Sequence, residues 1–332
     1  MIKGALANAL FVEMWYFEMF DAVADVELSM TFSINNPRDV ALGKVFGLKK
    51  SCDILSGVVF SNSRRKTSID NYIDYYEARD DELYVNFGNF AFIEAVSESS
   101  IHLHGSDPYI DVEYDLVYHQ LLPHLPPQKT RISKGRNDHF WFYPRMPAAL
   151  VEGSITFGGE TRKIHGKGYH DHDWGSPTKL AWSPFIVIPM NDCCIITYVS
   201  QGKYGNVYLL TDGKWKELPM PSLDIIETTR LEYIGKRNEI VHYDCPSKMR
   251  ITSETDRYKV DFVVKSNDRF ITYDLGLEKG KKKVMHATGM ISANYIANGE
   301  IYIDGSVMKV FSDVGATFQY YDEFDYIKFL FL

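Results

Sequence analysis

The sequence contains few cysteines, only four among its 332 residues. They are Cys52, Cys193, Cys194 and Cys245. Four cysteines are too few to hold a chain of this length together by disulfides, and their spacing matches no zinc motif. The adjacent pair Cys193 and Cys194 would point to opposite faces of a strand. We therefore expect a reduced, cytoplasmic protein.

The sequence also lacks a long apolar run and an excess of basic residues. Nowhere do about 18 apolar residues follow one another, so no membrane-spanning helix is predicted. The net charge is −8, and the basic clusters at residues 64–66 and 281–283 are short. We interpret both clusters as solvated turns and expect no nucleic-acid partner. The apolar residues 4–12 lead directly into a strand pattern at Glu13, which favours an ordered first strand over a signal peptide.

Helical periodicity is scarce, and residues 38–49 are the weak exception. Aromatic residues make up 14% of the chain, and such residues fit the pleated surface of a sheet. Strand-like alternation of polar and apolar residues occurs at 27–34, 83–87, 111–118, 195–199, 207–210, 259–264 and 300–303. Hairpin-forming dipeptides occur at Asp212-Gly213, Asn298-Gly299 and Asp304-Gly305. These patterns predict an all-β fold.

Residues 121–147 interrupt the alternation. The prolines in this stretch are Pro123, Pro126, Pro127, Pro144 and Pro147. Prolines at this density are excluded from central strands, so we predict a long loop that ends in the aromatic cluster at residues 140–143. A chain of 332 residues is too long for one ordinary core. We therefore predict two domains, residues 1–177 and 178–332.

The most informative segment is residues 166–175, with the sequence GKGYHDHDWG. In an extended strand, alternate side chains point to opposite faces. His170, His172 and Trp174 would then share one face, and Tyr169, Asp171 and Asp173 the other. The glycines before them indicate a close approach of backbone or ligand.

Three interpretations of this segment compete. His-x-His on a strand is a familiar pair of metal ligands, but a cupin-like site needs a glutamate about four residues later, where Ser176 and Pro177 stand. The polar side chains could instead form a structural hydrogen-bond network. Alternatively, a carboxyl that burial keeps protonated could act as a general acid, with aromatic rings stabilising a developing cation by roughly 1–2 kcal/mol.

A second group of residues lies in the opening strand pattern. Glu18 shares a face with Met14, Tyr16 and Phe20 if the segment is extended. A carboxyl on an apolar face is either paired or functional. Both a salt bridge at the end of a barrel and a catalytic role remain open.

The two segments together resemble the family that includes carotenoid 1,2-hydratase, kievitone hydratase, the AttH-like proteins and the fungal lipocalin-like Diels–Alderases. That family typically opens with a WWYF-type strand, here residues 14–17, and carries GxGYxDHNWG near mid-chain, here residues 166–175. Met14 replaces the first tryptophan, and Asp173 replaces the asparagine, which adds an ionisable group. Residues 111–116, and residues 144–153 before the central motif, extend the likeness.

The resemblance implies an all-β protein of two consecutive lipocalin-like (calycin) antiparallel barrels. It also implies a substrate pocket at or near the domain junction, with no cofactor. The expected activity is cyclisation or hydration of an extended apolar polyene or isoprenoid, and the opposing hypothesis is a non-catalytic carrier of such a ligand. The candidate catalytic residues are Glu18, Asp171, His172 and Asp173. The candidate substrate-binding residues are Trp15, Tyr16, Trp141, Tyr143, Tyr169, His170, Trp174 and Trp182.

We predict that removal of metal leaves the fold and the turnover intact, because residues 170–173 lack a completing ligand. The check is circular dichroism and activity before and after exhaustive chelation. Stoichiometric zinc or iron bound through His170 and His172 would contradict the prediction.

Overall fold

The computed structural model is all-β, which confirms the predicted fold class. It describes residues 12–35, 51–60, 64–68, 77–79, 84–88, 90–131, 139–175, 179–180, 184–200, 204–234, 240–267, 271–279, 282–321 and 324–325. No helix occurs within these residues, and so they contain no helix long and apolar enough to span a membrane. Residues 4–11, the weakly helical segment 38–49 and Trp182 lie outside the described residues.

The described residues form two compact units. The first takes its residues from Met1–Lys129 and His139–Pro177, and the second from Thr130–Asp138 and Thr178–Leu332. The division into two lipocalin-like domains, residues 1–177 and 178–332, remains a prediction.

Residues of the first unit form an antiparallel sheet of 12 strands, whose tenth strand also includes Thr130 and Arg131. They are β1 Val12–Asp21, β2 Val26–Asn35, β3 Ser51–Phe60, β4 Arg64–Ser68, β5 Glu77–Arg79, β6 Tyr84–Asn86, β7 Ala91–Ser97, β8 Ser100–Asp107, β9 Val112–Gln120, β10 Gln128–Arg131, β11 His139–Phe157 and β12 Glu160–Gly175. Their order is β4-β3-β2-β1-β12-β11-β9-β8-β7-β6-β5, with β10 beside β11. The first and last strands of this sheet along the chain, β1 and β12, therefore lie side by side in the middle of the sheet.

One face of this curled sheet encloses an apolar core. Strand alternation sends every second residue to that face, as β1 illustrates with Trp15, Phe17 and Met19, all of which are buried in the core. In β8 and β9 the residues between the core positions point to the opposite face, where they are exposed or half-buried. The sheet thus separates an interior from an outer face.

The second unit contains a 10-stranded antiparallel sheet and a two-stranded ladder. The large sheet has the strands β14 Phe185–Pro189, β15 Cys194–Ser200, β16 Tyr204–Thr211, β17 Lys214–Leu218, β18 Ser222–Ile234, β19 Ile240–Glu254, β20 Tyr258–Ser266, β21 Ile271–Lys279, β22 Lys282–Ile303 and β23 Ser306–Tyr321. Strand β13 Lys179–Leu180 pairs with β24 Phe324–Asp325. Cys193, Cys194 and Cys245 are buried free thiols, and the side chain of Cys52 lies outside the description.

The predicted loop over residues 121–147 is wrong for residues 128–131 and 139–147, which belong to β10 and β11. Pro144 and Pro147 lie within β11, where the pairing with β12 shifts register between Tyr143 and Met146 and again between Met146 and Ala149. Strand β9 joins β11 only from Ala149 onward. A β-bulge tolerates proline because the bulged residue makes no regular ladder hydrogen bond. The prolines therefore mark irregularities in a long strand.

Two of the three predicted hairpin dipeptides are confirmed. Asp212-Gly213 joins β16 to β17 and Asp304-Gly305 joins β22 to β23, with positive φ at all four residues. The turn predicted at Asn298-Gly299 is wrong, because both residues lie within β22. A Cβ at Gly299 would lie 2.4 Å from Cβ of Phe262, so this glycine permits close packing of β20.

The glycines of the central segment also permit a close approach. A Cβ added to Gly166 would lie 2.5 Å from the carbonyl oxygen of Phe20. A Cβ added to Gly168 would lie 2.5 Å from Cγ2 of Val151. At Gly168 it would also lie 2.7 Å from the carbonyl oxygen of Glu18. The small residues thus let β1 and β11 pack tightly against β12.

We expect Gly168→Ala to lower the free energy of unfolding by ~1–3 kcal/mol, the usual cost of overpacking a core. The matched control is Gly315→Ala, since an added Cβ there meets no atom within 4 Å. Urea unfolding of both variants measures the difference. Equal stabilities would contradict the close packing at Gly168.

Candidate functional site

The candidate site is assembled by the pairing of β1 with β12. The register places Trp15 opposite His172, Tyr16 opposite Asp171 and Phe17 opposite His170. Because directly opposite residues of an antiparallel pair point to the same face, the two sequence segments combine on both faces of the sheet. Strand β11 flanks β12 on its other side and adds the aromatic residues 140–143.

The first group, here called the aromatic face, lies on the core side of β12. Its members are Trp15, Phe17, Trp141, His170, His172 and Trp174. His170 stacks on Phe17 with ring centroids 4.1 Å apart, and His172 stacks on Trp15 at 4.9 Å. Trp174 lies 5.0 Å from His172 and stacks on Trp141 at 5.9 Å. The rings form a continuous apolar wall.

His172 stands at the accessible part of the aromatic face. Its Nε2 lies 3.0 Å from Oε1 of Glu13, and 23% of its side chain is exposed. Sequence reasoning overlooked Glu13, although alternation in β1 puts this residue on the same face as Trp15. This contact with Glu13 orients the imidazole against the indole of Trp15.

His170 is fully buried and electrically neutral. Its Nδ1–H donates a hydrogen bond to the carbonyl oxygen of Tyr16 at 2.9 Å. Burial lowers the pKa of this imidazole to about 3, although the hydrogen bond to the carbonyl acts in the opposite direction. Since Nδ1 carries the proton, Nε2 is an acceptor, and it has no hydrogen-bond partner among the described residues.

The second group, here called the acid face, lies on the opposite side of β1 and β12. Its members are Tyr16, Glu18, Ser29, Tyr169, Asp171 and Asp173, and all of them are buried. The Tyr169 hydroxyl donates to Oδ2 of Asp171 at 2.6 Å. The Tyr16 hydroxyl donates to Oε2 of Glu18 at 2.8 Å. The phenols thus hold the carboxyls in place.

The two aspartates of the acid face retain protons at unusually high pH. Burial raises the pKa of Asp171 to about 7, despite the opposing hydrogen bond from Tyr169. Burial and the neighbouring Asp171 raise the pKa of Asp173 well above its usual value, although the backbone N–H of Tyr143 donates to this carboxyl at 3.3 Å. The pair therefore holds a proton near neutral pH and can donate it.

The sheet divides the predicted site residues between the two groups. Of the predicted catalytic residues, Glu18, Asp171 and Asp173 share the acid face, whereas His172 lies on the aromatic face. Of the predicted binding residues, Tyr16 and Tyr169 accompany the acids; Trp15, Trp141, His170 and Trp174 belong to the aromatic face, and Tyr143 lies beside it. Trp174 lies on the face opposite the acids, as the alternation along residues 169–174 predicted.

Phe142 is the aromatic residue that the expectation missed. It lies directly opposite Asp173 in the β11–β12 ladder and is buried. The sequence marked the cluster at residues 140–143 as aromatic. Only the register between β11 and β12 could show which rings accompany the carboxyls.

Three solved structures resemble this chain over nearly its whole length. An AttH-like protein from Nitrosomonas europaea has a TM-score of 0.63 at 14% identity, covering 95% of this chain and 93% of its own. CghA, crystallised with Sch210972, has a TM-score of 0.61 at 12% identity, covering 96% and 89%. Kievitone hydratase from Nectria haematococca has a TM-score of 0.55 at 14% identity, covering 95% and 90%.

The resemblance predicted from the sequence is confirmed at the level of the fold. No protein-family model matches the chain, and no curated protein sequence matches it. At these identities the likeness shows a shared architecture and leaves the chemistry to the residues of the site.

The raised pKa of Asp171 predicts a pH-dependent stability. Between pH ~4 and ~7, the folded protein keeps a proton that the unfolded chain has released. This contribution is complete at low pH and is lost as the pH rises to the folded pKa of about 7. Relative to Asp171→Asn, the wild type should lose up to ~1.4 kcal/mol of unfolding free energy per pH unit in this window.

Urea unfolding at several pH values checks this difference. The lowered pKa of His170 acts in the opposite sense, since its contribution is lost as the pH falls from 6.5 towards 3. It cancels in the comparison because both proteins retain His170. Glu113→Gln, an exposed site on β9, is the control and should follow the wild type. Parallel curves for wild type and Asp171→Asn would contradict the protonated carboxyl.

Proposed function

We propose that this protein is an enzyme that hydrates or cyclises an extended apolar small molecule by proton donation from the acid face. One observation carries the proposal: Asp171 and Asp173 lie two residues apart on one buried face, and burial raises the pKa of both. A purely structural network has no need of carboxyls that hold a proton near neutrality. A general acid needs that state.

The reaction starts with transfer of a proton from the Asp171–Asp173 pair to a carbon–carbon double bond. This forms a C–H bond and leaves a carbocation on the neighbouring carbon. Attack by water, followed by loss of a proton to the carboxylate, gives an alcohol and regenerates the acid. Attack by a second double bond of the same molecule closes a ring, and loss of a proton from a neighbouring carbon to the carboxylate forms a new double bond and regenerates the acid.

The aromatic residues beside the acids would stabilise the cation. Tyr16 and Tyr169 lie on the acid face with ring centroids 6.0 Å apart, and Phe142 lies next to Asp173. The face of an aromatic ring attracts a desolvated cation by roughly 1–2 kcal/mol. No step of this reaction requires a cofactor.

The proposed substrate is a polyene or isoprenoid. Two similarities of fold support a small-molecule ligand: one relative is a kievitone hydratase, and CghA was crystallised with the compound Sch210972. The large aromatic content favours an apolar ligand, because such pockets are lined mainly by apolar and aromatic side chains.

The aromatic face favours a second candidate function, a non-catalytic carrier. Its neighbouring rings, from Trp15 through His172 and Trp174 to Trp141, offer an apolar wall without the protonated carboxyls. A ligand bound there would contact His172, whose side chain is 23% exposed and whose Nε2 faces Glu13. A carrier binds such a ligand and releases it unchanged.

We expect Asp171→Asn and Asp173→Asn to lower turnover by about 100-fold or more, with ligand affinity nearly unchanged, because positioned proton transfer contributes that much. Glu113→Gln is the control for a change from carboxyl to amide on the same sheet and should retain full turnover. Binding is measured by fluorescence titration and conversion by mass spectrometry, over a panel of polyenes and isoprenoids. Wild-type turnover in both asparagine variants would refute the acid.

Reaction in D2O separates the alternatives. Hydration adds the mass of heavy water, with one deuterium on carbon. A cyclisation started by a proton places one deuterium on carbon and adds no water to the product. A cycloaddition that only needs a shaped pocket adds no deuterium and tolerates the asparagine variants, but slows when Trp174 or Tyr143 is made smaller. Recovery of every compound unchanged supports the carrier and overturns the enzyme.

A further inference from the structure

The outer side of the first sheet carries a cluster of metal-ligand type on β7 and β8, separated from β12 and its acid face by β9 and β11. His102 and His104 are alternate residues of β8 and therefore point to the same side, and Glu94 of β7 lies directly opposite His102. One ligand atom from each of the three residues lies within 4.8 Å of the others. Among the described residues, this is the one such group of three.

We propose that Glu94, His102 and His104 bind a zinc ion on the outer face of the sheet. A tetrahedral zinc with bonds of ~2.0 Å places its ligand atoms ~3.3 Å apart. Nδ1 of His102 and Oε1 of Glu94 are 3.3 Å apart, which matches this edge of the tetrahedron. Two imidazoles and one carboxylate are a zinc-binding set, with the fourth position left for water.

Asp115 supplies the second observation. Its Oδ1 lies 2.7 Å from Nε2 of His102, on the side of the ring away from Glu94. When Nε2–H donates to this carboxylate, Nδ1 has a free lone pair that points towards Glu94. A carboxylate that fixes the tautomer of a metal-ligating histidine is a recurring feature of zinc sites.

The ligand positions are also fixed before any metal binds. The ring of His104 stacks on Phe92 at 4.8 Å with an interplanar angle of 3°, and the rings of His102 and His104 are 4.6 Å apart. Strand β8 is paired on both sides, with β7 and β9. Ligands on rigid, paired strands lose little conformational entropy when they bind a metal.

A second group of histidines on the same face provides the matched controls. His119 and His165 both contact Glu152, with nitrogen–oxygen distances of 3.6 and 3.1 Å. This group has the same residue types but does not bring three ligand atoms within 4.8 Å. Comparing the two groups tests whether zinc binding depends on the three-ligand geometry or only on the presence of histidines.

The test is isothermal titration of metal-stripped, untagged protein with Zn²⁺ at neutral pH. We expect one equivalent to bind, with no binding of Mg²⁺, which prefers an all-oxygen shell. His104→Asn should abolish saturable binding. Asp115→Asn should weaken it by about 10–100-fold, the usual effect of removing the carboxylate behind a ligand. His119→Asn and His165→Asn should bind zinc like the wild type.

Two further measurements keep the result independent of folding and of the proposed enzyme activity. Circular dichroism verifies that each variant is folded, and Co²⁺ in place of Zn²⁺ gives the visible spectrum of a four-coordinate site. Turnover should persist in His104→Asn, since His104 lies outside the candidate site. Absence of saturable zinc binding, or unchanged affinity in His104→Asn, overturns the proposal, and unchanged affinity in Asp115→Asn overturns the role given to Asp115.

Discussion

The antiparallel pairing of β1 with β12 is the constraint on which the candidate site depends. It joins residues about 155 positions apart in the sequence, such as Trp15 and His172, into one ladder. Neither strand carries the site alone, because β1 supplies Trp15 and Phe17, which stack on His172 and His170 of β12. Glycines at 166 and 168 let the neighbouring strands approach closely enough for that ladder to form. The chemistry of the site is therefore a consequence of how the sheet brings its first and last strands together.

Strand geometry then separates the chemistry into two environments. Successive residues of β12 alternate between faces, so that neutral His170 and protonated Asp171 are adjacent in sequence but lie on opposite sides of the sheet. The same physical cause, burial, acts on both and disfavours the charged form of each. It produces a proton donor on one face and a proton acceptor on the other. One substrate held on one face would meet only one of these groups.

The partly exposed region of the outer face is a third environment, on the same side of the sheet as the buried acid face. Its histidines and carboxylates contact one another across neighbouring strands, as between Glu94 and His102 and between His165 and Glu152. Partly exposed contacts of this kind add little stability, because water screens them. The arrangement of Glu94, His102, His104 and Asp115 therefore calls for an explanation other than stability, and metal binding provides one. Sequence reasoning passed over His102 and His104, although His-x-His on an alternating strand was a signal that could have found them.

The sequence by itself determined the class of the fold and the composition of each face. Alternation along residues 169–174 predicted the two sets of side chains, because side-chain direction in a strand depends only on the local backbone. Proline and glycine patterns were ambiguous: Pro144 and Pro147 lie at bulges within β11, and Gly299 lies in a strand. Only the tertiary structure decided that Phe142 accompanies Asp173, that Glu13 pairs with His172 and that Asp115 orients His102. These contacts depend on the register between strands, which is set by long-range pairing and packing of the core rather than by any local run of residues.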